Sequence, residues 1–163
     1  MTDQERTPDT DAPDNDVVLT SRARIARNVA GLPFVHRADE AQRRQTIERV
    51  LPSLNPPICS EETEWFDLES VTALQRRVLF ERNLISRQHA DLRGPRGVAV
   101  SRDGNLSMMV NEEDHVRMHA IAPGLQPGQC FDRVRQLDQS AEQNIEWAFH
   151  QRWGYQTACP TNA

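Results

Sequence analysis

Apolar and polar residues alternate with a period of two in the central part of the chain. The alternating residues are Val98 and Val100 before Asp103-Gly104, and Leu106, Met108 and Val110 after it. This spacing around an Asp-Gly pair predicts a β-hairpin with a tight turn. The segment from Val116 to Ile121 has the same period and predicts a third strand that follows closely.

Two segments before the hairpin have apolar residues at the helical spacings of three and four. Asp39 is the predicted N-cap of the first helix, over about residues 40–51, and Pro52 ends it. Ser70 is the predicted N-cap of the second helix, which runs to about Arg82. The predicted buried faces are Ile47, Val50 and Leu51 in the first helix and Leu74, Val78 and Leu79 in the second.

The two ends of the chain differ in their patterns. Apolar residues between Gln129 and Trp153 predict one long helix, or two helices that meet near Ser140. Near the other end, the apolar residues 17–19 predict a short strand. Residues 1–15 are acidic and polar with two prolines, which predicts a disordered tail. The folded domain is therefore expected to cover residues 16–163.

The composition is that of an ordinary single domain. The chain has 163 residues, of which 37% are hydrophobic and 26% charged, and its net charge is -5. An acidic balance gives no reason to expect nucleic acid as a partner. No apolar stretch has the length of a membrane span and no signal-peptide pattern precedes the domain, so a cytoplasmic location is expected. The cysteines Cys59, Cys130 and Cys159 suit neither a disulfide framework nor a zinc site.

All 19 basic residues are arginine, and the chain contains no lysine. A bias in genomic base composition is one explanation. Whatever its origin, the absence of lysine excludes a P-loop and a kinase of the eukaryotic protein-kinase type, because both require a lysine on the phosphates. If this protein binds phosphate, arginines must bind it.

Residues 111–119, with the sequence NEEDHVRMH, combine three acids, two histidines and an arginine. They are compatible with a solvated turn, a metal site or an acidic pocket for a cation. On a strand, His115 and His119 would lie roughly 13 Å apart, too far for one metal ion, so no metal held by side chains is predicted. Repulsion among three consecutive acids favours a compensating cation, which Arg117 or a bound guanidinium could supply.

The basic run at residues 21–27, SRARIAR, also has two interpretations. It could be a solvated segment with surface ion pairs. On a strand, however, Arg22 and Arg24 would point to the same side. Two guanidinium groups on one side match phosphate oxygens through paired hydrogen bonds, which makes an anion site the alternative.

Four motifs occur in the order found in the ATP:guanido phosphotransferases, the family of the creatine, arginine and bacterial protein-arginine kinases. The motifs are VVLTSRARIARN at 17–28, ERNLIS at 81–86, NEEDHVR at 111–117 and GYQTACPTN at 154–162. The chain therefore resembles this family over residues 17–163. The resemblance implies an α+β fold, a large antiparallel β-sheet flanked by helices, of the phosphagen kinase and glutamine-synthetase-like type.

The resemblance also implies a reaction and its residues. The family transfers the γ-phosphoryl group of ATP to a guanidinium nitrogen, with Mg²⁺ travelling with the nucleotide. The catalytic side chains would be Glu113 as the base, Glu112 beside it and Cys159 against the guanidinium. The nucleotide-binding residues would be Ser21, Arg22, Ala23, Arg24, Ile25, Asn83 and Arg117. At Asn83 the family usually has a histidine, which packs against the base.

Within the family, the chain most resembles the bacterial protein-arginine kinases, because only 20 residues precede Ser21 and because residues 84–86 read LIS. The expected substrates are arginine residues in proteins, with unfolded proteins or those destined for proteolysis as candidates, and a homodimer is one expected assembly. A non-catalytic remnant that binds arginine-bearing proteins and a kinase of a small guanidino metabolite remain alternatives. The family continues beyond CPTN with a Gly-rich stretch and further arginines. The chain thus resembles the N-terminal part of a catalytic domain and is expected to be inactive alone.

Overall fold

The computed structural model describes residues 11–54 and 62–162. The strands are β1 (Thr20–Arg27), β2 (Thr63–Asp67), β3 (Gly97–Ser101), β4 (Leu106–Val110), β5 (Val116–Pro123), β6 (Phe149–His150) and β7 (Gly154–Tyr155). The α-helices are α1 (Glu40–Val50), α2 (Ala73–Glu81), α3 (Arg87–Asp91) and α4 (Pro127–Glu142). Short 3-10 helices cover Leu51–Leu54 and Pro160–Asn162.

Five strands form one sheet in the order β1-β5-β4-β3-β2, and each neighbouring pair is antiparallel. The predicted hairpin is confirmed as β3 and β4, and the predicted third strand as β5. The first strand, β1, pairs with β5, although three other strands lie between them in the sequence. The antiparallel sheet with helices confirms the expected α+β class.

Helices cover the sheet on both faces. On one face α1 and α4 pack over Met108, Val116 and Met118, and on the other Leu79 and Leu84 pack against Val98 and Met109. Every residue of β3 and β4 is buried for this reason. On the second face, the β1–β5 half of the sheet carries arginines instead of an apolar cover.

The helix starts depend on local capping. Asp39 caps α1 through a capping box with Gln42, as predicted. The N-cap of α2 is Thr72, which forms a capping box with Gln75, and the prediction of Ser70 is wrong. Leu74, which was predicted to be buried, is 72% exposed, and Leu79 is the buried residue of α2. Helix α3 and strand β2 were not predicted.

The first strand lies later than its apolar residues suggest. Val17 and Leu19 are exposed, and the strand consists of the basic run itself, because its partner β5 fixes the register from Thr20 opposite Pro123. Residues 11–15, assigned to the tail, form turns, and the Pro13 carbonyl accepts a hydrogen bond from the Leu125 amide at 2.7 Å. The rest of the predicted tail lies outside the described residues.

The long C-terminal helix is the largest error of the sequence-based prediction. Helix α4 ends at Glu142, and a turn at residues 143–144 leads to the short strand β6. Val29 and Trp147 form an isolated antiparallel bridge, and the Ala148 amide donates to the Asn28 carbonyl at 2.7 Å. These residues bury Ile145 and Trp147 by pairing with the segment after β1, a contact that helical spacing does not reveal.

Candidate active site at the β4–β5 turn

The acidic residues 111–115 form the tight connection between β4 and β5. Asn111 adopts a left-handed backbone with φ of 61°, and its amide donates to the His115 carbonyl at 2.9 Å. Glu112 is only 2% exposed and Asp114 is fully buried. The interpretation of a solvated turn is therefore wrong, because buried carboxylates need compensating partners.

Arg117 compensates the two glutamates. Its Nη1 lies 2.8 Å from Oε2 of Glu112, and its Nη2 lies 2.8 Å from Oε2 of Glu113. The Glu112 side chain is 1% exposed, whereas that of Glu113 is 37% exposed. Of the two carboxylates, Glu113 is the one that solvent and a ligand can reach.

Asp114 joins three segments that are distant in sequence. Its Oδ1 accepts hydrogen bonds from Nδ2 of Asn28 at 2.7 Å and from the Ala158 amide at 2.6 Å. Its Oδ2 accepts one from Nδ2 of Asn162 at 3.2 Å. The side chain of Asn162 also donates to Oε2 of Glu113 at 3.2 Å. Asn28, which directly follows the basic run, and the CPTN turn are thereby held against the acidic turn.

His115 has a structural role. Its Nδ1 accepts a hydrogen bond from the Val29 amide at 3.0 Å, so its Nε2 carries the proton and donates to the Pro33 carbonyl at 2.8 Å. Burial lowers the pKa of this imidazole, although the Pro33 carbonyl and the Asp114 charge oppose the shift. His119 contacts Ser107 instead. Among the described residues, no group of three or more His, Cys, Asp or Glu side chains could hold a metal ion.

Arg22 and Arg24 lie on one exposed face of β1. The register puts Arg24 opposite His119 and Ala26 opposite Arg117, so Arg24 and Arg117 are diagonal neighbours on the same face, roughly 7–8 Å apart at their Cα atoms. Neither Arg22 nor Arg24 forms an ion pair with a carboxylate of residues 11–54 or 62–162. Burial and the nearby Arg24 charge lower the pKa of Arg22. Two uncompensated guanidinium groups side by side favour an anion between them.

Three other residues of the basic run point the other way. Ser21 is buried, and its Oγ donates to the Gly124 carbonyl at 2.7 Å and accepts from the Gln126 amide at 2.8 Å. Ala23 and Ile25 pack against the core under α4. Since successive side chains alternate across a strand, these three residues do not face the arginines. This placement does not support side-chain contacts from them to a nucleotide.

Asn83 ends helix α2. Its backbone has φ of 57°, its amide bonds to the Phe80 carbonyl at 2.9 Å, and the Leu84 amide bonds to the Leu79 carbonyl at 3.0 Å. This is the Schellman arrangement, in which the residue in left-handed conformation is often Gly or Asn. The side chain is exposed. The backbone thus explains an asparagine at this position without any nucleotide.

The CPTN turn carries Cys159, which is partly exposed with its Sγ 3.0 Å from Oγ1 of Thr161. The turn is fixed on both sides of the cysteine, because the Ala158 amide and the Asn162 side chain both bind the acidic turn. The two residues that flank this part of the turn, Ala158 and Asn162, therefore hold Cys159 near the acidic turn.

Several residues of this cluster had no role in the sequence-based prediction. Ser86 donates to Oε1 of Glu112 at 2.6 Å, and Asn28 accepts from the His115 amide at 2.9 Å. Arg27 bonds to Asp138 of α4 at 2.6 Å and stacks over the Tyr155 ring. All but Asp138 lie within the four motifs. Their presence in the motifs could have marked these residues as candidates. Their hydrogen-bond and ion-pair partners, however, are known only from the folded structure.

Comparisons with known proteins match this chain to one family. The family profile described as "ATP:guanido phosphotransferase, C-terminal catalytic domain" matches residues 45–163. A protein-arginine kinase of Symbiobacterium thermophilum is 39% identical over 153 residues, which cover 92% of this chain and 43% of that protein. A protein-arginine kinase of Halothermothrix orenii is 36% identical over 150 residues, with the same two coverages. The chain therefore spans less than half the length of these curated relatives.

Solved structures show the same fold. The substrate-free duplicated taurocyamine kinase from Schistosoma mansoni matches with a TM-score of 0.81 at 22% identity, over 91% of this chain and 22% of that chain. A lombricine kinase matches with a TM-score of 0.78 at 21% identity, over 93% of this chain and 46% of that chain. The fold is thus that of the phosphagen kinases. This chain belongs to the ATP:guanido phosphotransferase family.

The helices give no indication of a membrane span. In residues 11–54 and 62–162, no helix has both the length and the apolar character needed to cross a bilayer.

Proposed function

We propose that this chain forms part of an enzyme that transfers the γ-phosphoryl group of ATP to the guanidinium of arginine residues in proteins. The proposal is carried by one observation. Glu113, the accessible carboxylate of the acidic turn, is bound to Arg117, which shares a face of the sheet with Arg22 and Arg24, and within residues 11–54 and 62–162 these two arginines have no carboxylate partner. An acid that can hold a guanidinium is thereby combined with cations that can hold phosphate.

Glu113 is the proposed base. A guanidinium has a pKa above about 12 and is a poor nucleophile while it is protonated. A carboxylate that hydrogen-bonds to it orients the attacking nitrogen and accepts its proton. The partial exposure of Glu113 allows such contact. Cys159, in the CPTN turn beside it, is proposed to lie against the guanidinium.

The proposed role of Glu112 differs from that of Glu113. Its carboxylate is buried and occupied by Ser86 and Arg117, so it does not reach a ligand directly. We assign to it the positioning of Arg117 and Glu113. Arg117 lies between the acidic turn and the β1 arginines, and it is proposed to add its charge to the phosphate site.

The phosphates of ATP would be held by Arg22 and Arg24. Phosphoryl transfer is catalysed mainly by positioning and charge compensation around the phosphates, which paired guanidinium groups supply. The carboxylates of the acidic turn are bound to Arg117, Asn28 and Asn162 and do not form a cage for a divalent ion. Mg²⁺ is therefore proposed to accompany ATP as a phosphate-bound ion, and its chemistry is to neutralise the phosphate charge.

The choice of protein substrates rests on the relatives that bear the name protein-arginine kinase. The two alternatives give different results in one experiment. The chain, joined to the remaining segment of one of these relatives, is incubated with ATP and either an unfolded arginine-rich protein or a free guanidino compound. Phosphoarginine in the protein, found by mass spectrometry at neutral pH, supports the proposal. Transfer to the free compound alone would identify a metabolite kinase, and binding of the protein without transfer would identify a non-catalytic module.

A further inference from the structure

Ser86 begins a line of hydrogen bonds that ends at the proposed base. Its Oγ donates to Oε1 of Glu112 at 2.6 Å, and Oε2 of Glu112 binds Nη1 of Arg117 at 2.8 Å. Nη2 of Arg117 then binds Oε2 of Glu113 at 2.8 Å. Ser86 is therefore connected to Glu113 through two charged groups, the carboxylate of Glu112 and the guanidinium of Arg117.

The direction of the first hydrogen bond is fixed by the other contact of Ser86. The same Oγ accepts a hydrogen bond from the His89 amide at 2.9 Å, as the N-cap of α3. An amide can only donate, so the hydroxyl proton of Ser86 is available for the carboxylate of Glu112. Hydrogen bonds from a neutral donor to a charged acceptor are stronger than those between neutral groups.

The line of contacts determines which oxygen of Glu113 can act. Oε2 of Glu113 accepts from both Arg117 and Asn162, while Oε1 has no hydrogen-bond partner among the described residues. Glu112 also accepts a hydrogen bond from the Glu113 amide at 2.9 Å. A carboxylate held through one oxygen and through its own backbone keeps the other oxygen in a fixed direction, as positioning requires.

We infer that Ser86 is a positioning residue for the phosphoryl transfer: it fixes Glu112, and through Arg117 it aims Oε1 of Glu113 at the substrate guanidinium. Ser86 does not touch either substrate. It also connects the segment after Asn83 to the acidic turn, so the position of α3 and that of the base are set together. The inference rests on the proposed function.

The test separates the cap from the hydrogen bond to Glu112. Ser86→Gly keeps an acceptable N-cap residue, because glycine is itself among the residues preferred at this position. It removes the hydroxyl that binds Glu112. Ser86→Thr keeps the hydroxyl. The matched control is Thr72→Gly, which changes the N-cap of α2 at an exposed site where the threonine hydroxyl bonds to Gln75.

Two measurements are made on these variants. In the chain completed with the segment of a relative, kcat and the KM for ATP are measured. In the present 163-residue chain, ¹⁵N NMR follows the guanidinium of Arg117, whose NH₂ groups rotate slowly while both are bound to carboxylates. Its signals are assigned by their loss in Arg117→Lys. We expect Ser86→Gly to lower kcat about 10-fold with little change in KM for ATP, and to speed the rotation.

Ser86→Thr should restore both properties, and Thr72→Gly should leave both unchanged. Wild-type kcat in Ser86→Gly would overturn the inference, and so would an unchanged Arg117 signal. Absence of transfer by the unsubstituted completed chain would overturn the proposed function. In that case the Arg117 signal in Ser86→Gly still decides whether Ser86 holds the carboxylate and guanidinium groups in place.

Discussion

Asp114 and Asn28 lie 86 residues apart in the sequence, and Nδ2 of Asn28 donates a hydrogen bond to Oδ1 of Asp114 at 2.7 Å. The same carboxylate binds the CPTN turn through the Ala158 amide and the Asn162 side chain. One buried acid therefore holds the residue that follows the basic run and the CPTN turn beside Glu113. Its charge is used for assembly of the site, whereas the charge of Glu113 is available to a ligand.

Asp114→Asn should destabilise the protein by about 2 kcal/mol. Both carboxylate oxygens of Asp114 accept hydrogen bonds from N–H groups, and the substitution would place an NH₂ group against one set of these donors. The free energy of unfolding is measured by urea denaturation. Asp132→Asn on the exposed side of α4 is the control and should have little effect. Equal stabilities of the two variants would contradict the role of Asp114 as a junction.

Glu113→Gln should abolish phosphoryl transfer in the completed chain, with a fall in kcat of roughly 10²–10⁴-fold, because the amide cannot accept the proton. ATP binding, measured by calorimetry, should change little. Glu48→Gln on the exposed face of α1 is the control for loss of one negative charge. Near-normal turnover in Glu113→Gln would mean that another group is the base.

Arg22→Ala and Arg24→Ala should each weaken ATP binding by about 1.5–3 kcal/mol, the range for a hydrogen bond that involves a charged group. Lysine at either position should restore only part of the affinity, because it cannot form the paired hydrogen bonds of a guanidinium. Calorimetric titration with ATP measures both, and Arg135→Ala on the exposed surface of α4 is the control. If both alanine variants bind ATP normally, these arginines are not the phosphate site.

The stability should fall when the pH is lowered, in part because of His89. Burial lowers the pKa of His89 to about 4, although a hydrogen bond to the Gly97 carbonyl and the Glu112 charge oppose the shift and Arg96 adds to it. The unfolded chain binds a proton at this residue below about pH 6.5, while the folded chain stays neutral until about pH 4. His89 therefore does not reduce the free energy of unfolding above about pH 6.5, and it reduces this free energy progressively as the pH falls from about 6.5 to about 4.

His89→Gln tests this explanation. Its amide can still donate to the Gly97 carbonyl, and it does not titrate, so the variant should lose less stability than the unsubstituted protein between pH 7 and pH 4.5. The difference should be at most about 3 kcal/mol, from the size of the pKa shift. Urea denaturation at several pH values measures it. Parallel pH dependences of the two proteins would rule out His89 as the source.

Gly97→Ala should destabilise the sheet by about 1–3 kcal/mol, the usual effect of overpacking. A Cβ on Gly97 would overlap the Trp65 ring on the neighbouring strand β2 and approach the Phe66 carbonyl oxygen to 2.8 Å. Gly128→Ala, where no atom from outside the adjacent helix backbone lies within 4 Å of the added carbon, is the control and should not destabilise the protein. The smaller ring in Trp65→Phe should recover part of the loss in Gly97→Ala. If Trp65→Phe restores no stability to Gly97→Ala, the contact with the Phe66 carbonyl oxygen alone would account for the destabilisation.

The sequence by itself determined the elements that depend on local chemistry. The alternation around Asp103-Gly104 gave β3 and β4, and the Asp39 cap gave the start of α1, because turns and caps are made by residues adjacent in the chain. It also determined the motif residues, since a mixture of acids and arginines in short runs is visible without a structure. The expectation that Arg22 and Arg24 share one side followed from the strand period alone and agrees with β1.

Only the tertiary structure decided what depends on distant partners. The extended segment around Trp147 looks helical in sequence, and it pairs with Val29 because that contact buries its apolar residues. The division of labour among the acids is also tertiary. Glu112, Glu113 and Asp114 are consecutive and chemically alike, and they differ because Ser86 and Arg117 enclose the first, solvent reaches the second, and Asn28 and the Ala158 amide enclose the third. Burial and partners are properties of the folded chain, and three identical charges in a row do not encode them.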